Sequence, residues 1–300
     1  MIPTISADHI IYAMSPQNPP VLRVADGSRV RFETCDCFTD QIQQPGDTFE
    51  QLDWNRINPA TGPLYIEGAE PGDTLRVHIY RIELDKRAVL ATLPGAGVAG
   101  ARLTAGRIDF VPVAEDHVVL FDTLRLPRNS MIGVIGTAPA GEAVSCGTPD
   151  AHGGNMDTKI ISEGTTLLLP VNVAGALLAM GDLHAAMGDG EVGVSGLEIR
   201  GVVEVDVHVI KGRPYPLPLA VTADACHTIA SAPTLDQAAE MATLMMSDLL
   251  CAHGGLDANR AIALQSIAGD VHICQMVDPN RTCRFALPRA VCETLGIMLP

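Results

Sequence analysis

The chain has 300 residues, of which 47% are hydrophobic, so it can bury one large core or two adjoining ones. It carries 35 acidic residues against 20 basic ones, which gives a formal net charge of -15 at pH 7. This charge argues against a nucleic-acid partner and against an anionic membrane surface, because both are bound by clustered lysine and arginine. A small neutral substrate is compatible with it.

The N-terminal sequence MIPTISADHIIYAM has neither a basic region before an apolar core nor a small-residue cleavage site, so we predict no secretory signal. No apolar run in the sequence reaches the length that spans a membrane. The eight cysteines are scattered along a chain that is large enough not to need disulfides, which favours free thiols in a reducing compartment. We therefore expect a cytoplasmic protein.

Short β-branched runs, separated by glycine and proline, dominate the first two hundred residues and predict strands. The predicted strands cover residues 29–33, 74–82, 117–121, 165–170 and 202–210. In the last of these, Glu204, Asp206 and His208 alternate with valines, which predicts a strand with one solvated face.

The composition changes after about residue 213, where PYPLPLA forms a proline-rich connector. Thr234 and Gln237 match a capping box, and apolar residues then repeat at helical spacing until Gly254. A second helix is predicted over residues 258–267, a strand over 271–277 and a terminal helix over 288–295. We therefore predict a mainly β domain over residues 1–213, followed by a smaller α+β region over 214–300 that packs against it.

Histidines and carboxylates are concentrated on both sides of one apolar run at residues 167–180. The members are His152 and Asp157 before the run and Asp182, His184, Asp189 and Glu191 after it. A buried hairpin formed by the run would bring all of them together, and few purely structural segments have such a pattern. We expect this segment, within the β-rich domain, to carry the active site.

The spacing of Asp182 and His184 suits two ligands of one metal, because residues two apart in an extended segment project to the same side. Catalytic zinc sites commonly use three mixed histidine and carboxylate ligands and leave a fourth position open. His152, just before two glycines, is a candidate third ligand, and Asp36 brings a ligand from a distant part of the chain. We predict that Asp36, His152, Asp182 and His184 bind a divalent metal, zinc in the first instance, with calcium or another divalent ion as alternatives.

Three neighbouring features have simpler interpretations. Asp189 is the weakest member of the cluster, because glycines flank it as in an ordinary turn. Cys35 and Cys37 are spaced as CxC with no second pair, so we interpret them as buried, inert thiols and not as zinc ligands. A cysteine nucleophile at Cys146, with His152 as its base, is a minor alternative that lacks an obvious orienting carboxylate.

Several segments resemble the acetamidase/formamidase family. They are GPLYIEGAEPGD (62–73), MIGVIGTAPAGE (131–142), HGGNMD (152–157) and LLLPVNVAGALLAMGDLHAAMGDGE (167–191). The similarity runs in order from Asp8 and His9 through ETCDCF to SIAGDVHICQMVDP, so it covers nearly the whole chain. The resemblance implies a hydrolase that converts small linear amides, formamide or acetamide, to a carboxylate and ammonia. It also implies a β-sandwich or distorted barrel in the front part, a divalent metal at the site, and a homo-oligomer, as a dimer or a larger assembly.

The resemblance also implies a set of site residues. The matching positions are Asp36, His152, Asn155, Asp157, Asp182, His184 and Glu191. Within this set we assign catalysis to Glu191, Asn155 and Asp157: Glu191 carries the proton from water to the departing nitrogen, and Asn155 hydrogen-bonds the amide or its developing oxyanion. Asn155 and Gly154 are the expected substrate contacts.

Two alternatives stay open. A lactam or a urea-like amide is a different substrate for the same site. A non-catalytic module whose acidic turns hold a structural ion is a different class of protein; an open ligand position separates it from an enzyme, because structural zinc sites are usually closed.

Overall fold

The computed structural model describes residues 1–299, which form 22 strands, three α-helices and two short 3-10 helices. In chain order the strands are β1 (Thr4–Ile5), β2 (Ile10–Ile11), β3 (Ala13–Met14), β4 (Leu22–Val24), β5 (Arg29–Thr34), β6 (Ala60–Ile66), β7 (Thr74–Leu84), β8 (Arg87–Thr92), β9 (Arg107–Pro112), β10 (His117–Leu120), β11 (Leu124–Pro127), β12 (Met131–Gly136), β13 (Val144–Ser145), β14 (Gly153–Asn155), β15 (Thr166–Pro170), β16 (Leu178–His184), β17 (Glu198–Ile199), β18 (Gly201–Ile210), β19 (Leu219–Val221), β20 (Ala225–Ala232), β21 (Asp270–Gln275) and β22 (Arg281–Pro288). The α-helices are α1 (Leu235–Gly254), α2 (Ala258–Ala268) and α3 (Arg289–Thr294), and the 3-10 helices cover Phe49–Gln51 and Gly100–Arg102.

Most strands belong to two nine-stranded sheets. The first has the order β1-β5-β18-β7-β15-β19-β20-β22-β21. The second follows the path β14-β12-β16-β17-β8-β9 and also includes β6, which pairs with β16, β2 and β4. Over residues 1–299 neither sheet closes on itself, so the predicted mainly β fold is confirmed and its barrel alternative is not formed.

The two sheets contribute to one hydrophobic core. Val203, Val205 and Val207 of β18 are fully buried in it, as are Leu178 and Met180 of β16 in the other sheet. The alternation in β18 therefore has the predicted cause: its valines face the core, and its charged residues lie on the opposite face of the strand.

The local predictions hold well. Each predicted front strand forms, with ends that differ by one or two residues, and the three predicted helices are α1, α2 and α3. Thr234 caps α1 as expected, because its hydroxyl accepts a hydrogen bond from the Gln237 amide at 3.3 Å. No helix within residues 1–299 is long and apolar enough to cross a membrane.

One sheet continues across the predicted domain boundary. Strand β19 pairs with β15, so β19 to β22 extend a sheet that the front strands begin. Helix α1 packs on this extension and buries Met246, Leu249 and Leu250 in a second core. The division at residue 213 stays a prediction, but the two parts share a hydrogen-bonded sheet.

The expected hairpin over residues 167–180 is wrong. Strand β15 lies in the first sheet, between β7 and β19, whereas β16 lies in the second sheet, beside β12, β6 and β17. The run is apolar because β15 and β16 each contribute side chains to the shared core, whereas the turn between them reaches the surface at Ala174. Strand β12 makes the connection that matters for the site, since it pairs with β14 on one side and with β16 on the other.

Candidate active site

A cavity of about 160 Å³ lies where β8, β14, β16 and β17 meet the loops around residues 37–58 and 191–195 and the segment after β21. One part of its wall carries carboxylates: Asp157, Asp182, Glu191, Glu198 and Asp278. Another part is apolar: Phe38, Trp54, Ile57, Ala91, Leu93 and Val194. Cys37, Asn58, Asn155 and Ser195 complete the lining.

A glycine in β12 makes room for two of the carboxylates. A Cβ atom at Gly133 would lie 2.5 Å from Asp157 Oδ1 and 2.6 Å from Asp182 Oδ2. Both distances are far below van der Waals contact, so any side chain at this position displaces the carboxylates. Gly196 plays the same part for His184, because a Cβ atom there would lie 2.6 Å from the imidazole Nδ1.

Three site carboxylates are carried on backbone in the left-handed region. The φ angles of Asp157, Asp182 and Glu191 are 40°, 54° and 43°. For a residue other than glycine this conformation costs about 1–3 kcal/mol, and such residues cluster at functional sites. The surrounding structure must stabilise each of these backbones.

His184 is the basic centre of the cluster. Its Nε2 lies 3.1 Å from Glu198 Oε2, 3.4 Å from Asp182 Oδ1 and 4.0 Å from Asp157 Oδ1. Burial opposes protonation of His184, but Glu198 and Asp182 outweigh it and raise the His184 pKa well above its ordinary value. Burial also opposes ionisation of Glu198, yet His184 holds the pKa of Glu198 below its usual range. For Asp182, burial and then Glu198 raise the pKa to about 6.

The other three carboxyl groups have raised pKa values. Burial is the main cause for each of them, and it raises the pKa values of Asp157, Glu191 and Asp278 well above the ordinary range. Neighbouring negative charge adds to this effect: Asp182 acts on the pKa of Asp157, Asp157 on that of Glu191, and Glu191 on that of Asp278. A carboxylate with a raised pKa is a stronger proton acceptor, which suits a general base.

The donor set fits a divalent cation. Several buried atoms in the cluster make no hydrogen bond: His184 Nδ1, Asp157 Oδ1, Asp182 Oδ1 and Glu198 Oε2. Two sets of three residues each bring their ligand atoms within 4.8 Å of one another. One set is Asp157, His184 and Glu191, and the other is Cys37, Asp182 and Glu198. Imidazole nitrogen, carboxylate oxygen and thiolate sulfur are the ligands of zinc and related divalent ions.

Asp36 lies beside this cavity but does not line it. Its Oδ1 accepts hydrogen bonds from the backbone amides of Phe38 at 3.0 Å and Asp40 at 2.8 Å. Burial raises the Asp36 pKa to about 7 against these hydrogen bonds. The carboxylate therefore shapes the turn that brings Cys37 and Phe38 to the cavity wall, and its role as a ligand stays a prediction.

His152 and Gly154 also lie outside the lining. His152 is 3% exposed, its Nε2 makes no hydrogen bond, and burial lowers its pKa. Gly154 has a φ of 87°, and a Cβ atom there would lie 2.5 Å from the Thr148 carbonyl oxygen. The two residues shape the turn that presents Asn155, and their roles in metal and substrate binding stay predictions.

Asp189 and Cys146 are engaged elsewhere. Both oxygens of Asp189 accept hydrogen bonds of 2.8 Å from Arg284, and Lys159 lies 3.1 Å away. Cys146 is fully buried, and burial raises its pKa to about 12. A neutral thiol of this kind is a poor nucleophile, which argues against the cysteine alternative.

Sequence reasoning missed three members of the site. Glu198 follows Gly196 by two residues but stands apart from the other histidines and carboxylates of the cluster, so its neighbours do not single it out. Asp278 closes the segment SIAGDVHICQMVDP, which carries part of the family resemblance, and that segment was the available signal. Cys37 is buried, as interpreted, but its sulfur belongs to a group with Asp182 and Glu198.

Comparisons with known proteins agree with one another. The model of the acetamidase/formamidase family matches residues 7–146 and 122–294. The crystal structure of an acetamidase from Bacillus halodurans has a TM-score of 0.96 and 47% identity, and the match covers 98% of this chain and 100% of that one. The structure of a predicted acetamidase/formamidase from Thermoanaerobacter tengcongensis has a TM-score of 0.97 and 47% identity, and the match covers 100% of this chain and 99% of that one.

More distant relatives carry related names. A formamidase from Methylophilus methylotrophus is 24% identical in an alignment 255 residues long, and the match covers 65% of this chain and 63% of that protein. The chain spans 63% to 65% of the length of the curated relatives it matches.

Proposed function

The chain belongs to the acetamidase/formamidase family, and from this we propose that it hydrolyses the carbon–nitrogen bond of small linear amides to a carboxylate and ammonia. One observation carries the proposal. A cavity of about 160 Å³ has carboxylates on one part of its wall and apolar side chains on another, which suits a small neutral molecule with a polar and an apolar end.

We propose that the site works with a divalent cation, zinc in the first instance. His184, Asp157, Asp182 and Glu198 are the ligands that we favour, because each carboxylate has a buried oxygen without a hydrogen bond that lies within 4.0 Å of His184 Nε2. When bound, a divalent cation supplies Lewis acidity toward an amide carbonyl and toward water. Its charge also offsets the excess of buried carboxylates over the His184 imidazole in the cluster.

Glu191 is the proposed proton carrier. It lines the cavity, and its side chain is buried. Because its pKa is raised by burial and by Asp157, the carboxyl group can take a proton from water and return it to the departing nitrogen.

Asn155 is the proposed substrate contact. Its Nδ2 donates to Asp278 Oδ2 at 3.1 Å, and its Oδ1 is buried without a partner. In this orientation the oxygen is the free atom, so it accepts an N–H of the substrate amide. This favours the first of the two roles expected for Asn155, contact with the amide, over contact with the oxyanion.

The apolar part of the wall is the proposed acyl site. Phe38, Ile57, Ala91 and Leu93 leave room for a short acyl group. Because apolar contacts discriminate by only about 1–3 kcal/mol per methylene, several small amides should be accepted. A lactam or a urea-like compound would use the same cavity.

The proposal is tested by ammonia release. The purified chain, analysed for metal, is assayed with formamide, acetamide, a small lactam and urea, then stripped by exhaustive chelation and reloaded. Loss of turnover on chelation and recovery with metal are expected. No turnover with any small amide, together with a lower melting temperature after chelation, would favour the non-catalytic module.

We propose further that the chain forms a homo-oligomer in the cytoplasm. The support is the family resemblance and, for the compartment, eight cysteines that are all free. Light scattering coupled to size-exclusion chromatography tests the assembly, and fractionation of the cells tests the compartment.

A further inference from the structure

Glu191 is carried by a loop that is attached to the C-terminal strands. The Gly190 amide donates to the Cys274 carbonyl at 2.8 Å, and the Met276 amide donates to the Gly190 carbonyl at 3.2 Å. These two bonds form a parallel bridge between Gly190 and Gln275 at the end of β21. The residue immediately before Glu191 is therefore fixed to a different region of the chain.

A buried ion pair holds the same loop one residue earlier. Arg284 of β22 donates from two nitrogens to the two oxygens of Asp189, each at 2.8 Å, and the Arg284 side chain is 4% exposed. Paired hydrogen bonds between a planar guanidinium and a carboxylate fix orientation as well as distance. Lys159 approaches Asp189 from its exposed side at 3.1 Å.

Gln275 also holds the turn that carries Asp278. Its Oε1 accepts hydrogen bonds from the Val277 amide at 2.9 Å and the Asp278 amide at 3.0 Å. Its Nε2 donates to the Asn280 carbonyl at 2.7 Å and to Thr282 Oγ1 at 3.1 Å. Gln275 is fully buried, and every polar atom of its side chain is used.

We propose that Arg284 is a positioning residue that holds Glu191 at the cavity, through a loop that is bridged to the end of β21 at Gln275. The inference rests on the proposed function. Glu191 adopts a left-handed backbone, which persists only where contacts around it over-determine the conformation. The ion pair and the backbone bridge lie within two residues of Glu191 and supply those contacts, although neither group touches the cavity.

The test uses two substitutions of Arg284 in the full chain. Arg284→Met removes the ion pair, and Arg284→Lys keeps the charge but not the paired hydrogen bonds. We expect kcat for acetamide to fall by about 100-fold in the first, since displacement of a reacting group by about 1 Å costs this much. The kcat of Arg284→Lys should lie between those of Arg284→Met and the unaltered chain. KM should change little in both, because the residues that contact the acyl group are untouched.

Arg29→Met is the control for the loss of a paired contact between an arginine and a carboxylate. Arg29 makes the same paired contact with Asp206, at 2.7 and 3.0 Å, and this pair joins β5 to β18 in the same sheet. Neither residue lines the cavity. The control should keep its kcat, so a loss confined to the Arg284 variants separates positioning from a general loss of ion pairing.

Three results overturn the inference: unchanged kcat in folded Arg284→Met, an equal loss in Arg29→Met, or a loss that appears only in KM. Circular dichroism and thermal unfolding verify folding. If Arg284→Met does not fold, Arg284→Lys decides, because it leaves no uncompensated charge; unchanged kcat there also overturns the inference. If the unaltered chain releases no ammonia, the proposed function is wrong. If every variant releases ammonia at the normal rate, the proposed function stands and this inference is wrong.

Discussion

Asn155 Nδ2 donates a hydrogen bond to Asp278 Oδ2 at 3.1 Å, across a separation of 123 residues in the chain. Asn155 ends the glycine-rich strand β14 of the front part, and Asp278 follows β21 of the C-terminal part. Both side chains line the cavity. The contact therefore joins the two parts of the chain at the site and fixes which end of the Asn155 amide is free.

This contact predicts different effects of two substitutions of Asp278. Asp278→Asn keeps an acceptor for Asn155, whereas Asp278→Ala leaves the buried amide without a partner, which costs about 1–3 kcal/mol. We expect kcat/KM for acetamide to be about ten- to a hundredfold lower in Asp278→Ala than in Asp278→Asn. Steady-state kinetics of the two purified variants measure this difference. Equal losses in both would contradict the orienting role.

The close approach at Gly133 predicts that Gly133→Ala disrupts the site. The new methyl group would overlap Asp157 Oδ1 and Asp182 Oδ2, so we expect a loss of about 1–3 kcal/mol in unfolding free energy together with weaker metal binding. Urea unfolding and metal analysis measure the two effects. Gly141→Ala is the control, because a Cβ atom at Gly141 meets nothing within 4 Å. A Gly133→Ala variant that matches this control in both measurements would contradict the interpretation.

Local pattern was sufficient to predict strands, helix caps and the polar cluster, because each depends on residues that are near in sequence. Pairing was not predictable in this way. The prediction of a hairpin over residues 167–180 failed because β15 and β16 belong to different sheets, and two buried strands joined by a turn have the same composition whether or not they pair with each other. Asp278 reaches the site only through the pairing of strands that are distant in the sequence.

The site was predictable in part for the same reason. Asp182 and His184 are two residues apart in the sequence, and Asp182 Oδ1 lies 3.4 Å from His184 Nε2 in the structure. Glu198 Oε2 lies closer still to His184 Nε2, at 3.1 Å, but Glu198 belongs to β17 and stands apart in the sequence from the other histidines and carboxylates of the cluster. Asp36 lies between two cysteines in the sequence, where a metal ligand would be expected, but its carboxylate accepts hydrogen bonds from the backbone amides of its own turn.

The buried imidazole of His227 predicts acid sensitivity away from the site. Burial, followed by Arg284 and His272, lowers the His227 pKa from 6.5 to about 4. The unfolded chain therefore binds a proton below pH 6.5 that the folded chain does not, so stability is lost as pH falls from 6.5 toward 4. This amounts to about 2 kcal/mol at pH 5.

His227→Gln removes that titration and is the variant to compare. Urea unfolding of the original chain at pH 7 and pH 5 should show a drop in unfolding free energy that is about 2 kcal/mol larger than the drop in His227→Gln. His208→Gln, at a half-exposed position on the outer face of β18, should behave like the original chain. The same pH dependence in all three chains would exclude His227 as the cause.

Glu191→Gln should separate proton transfer from metal binding. The amide has the size of the carboxyl group but cannot carry the proton, and a general acid–base group contributes about 10²–10⁴-fold to the rate. We expect kcat of Glu191→Gln to fall by this factor while its metal content per chain stays unchanged. His184→Ala should lose both turnover and metal. Elemental analysis and ammonia release give both numbers. Glu191 lies within 4.8 Å of ligand atoms of Asp157 and His184, so loss of metal from Glu191→Gln would instead identify Glu191 as a ligand.

The apolar wall predicts that substrate length is set by Ala91 and Leu93. Ala91 is buried in β8 with its side chain at the cavity, so Ala91→Val adds two methyl groups where the acyl chain is expected. This should lower kcat/KM for acetamide relative to formamide by about tenfold or more, because one methylene in a tight pocket corresponds to about 1–3 kcal/mol. Leu93→Ala removes volume from the same wall and should change the preference in the opposite direction, toward propionamide. Ratios of kcat/KM across the three amides measure the effect without depending on the amount of active protein. If both variants shift the ratios in the same direction, or if neither variant shifts them, the acyl group does not contact Ala91 and Leu93. A preference for short amides would then need another cause, because the carboxylates do not contact the acyl chain.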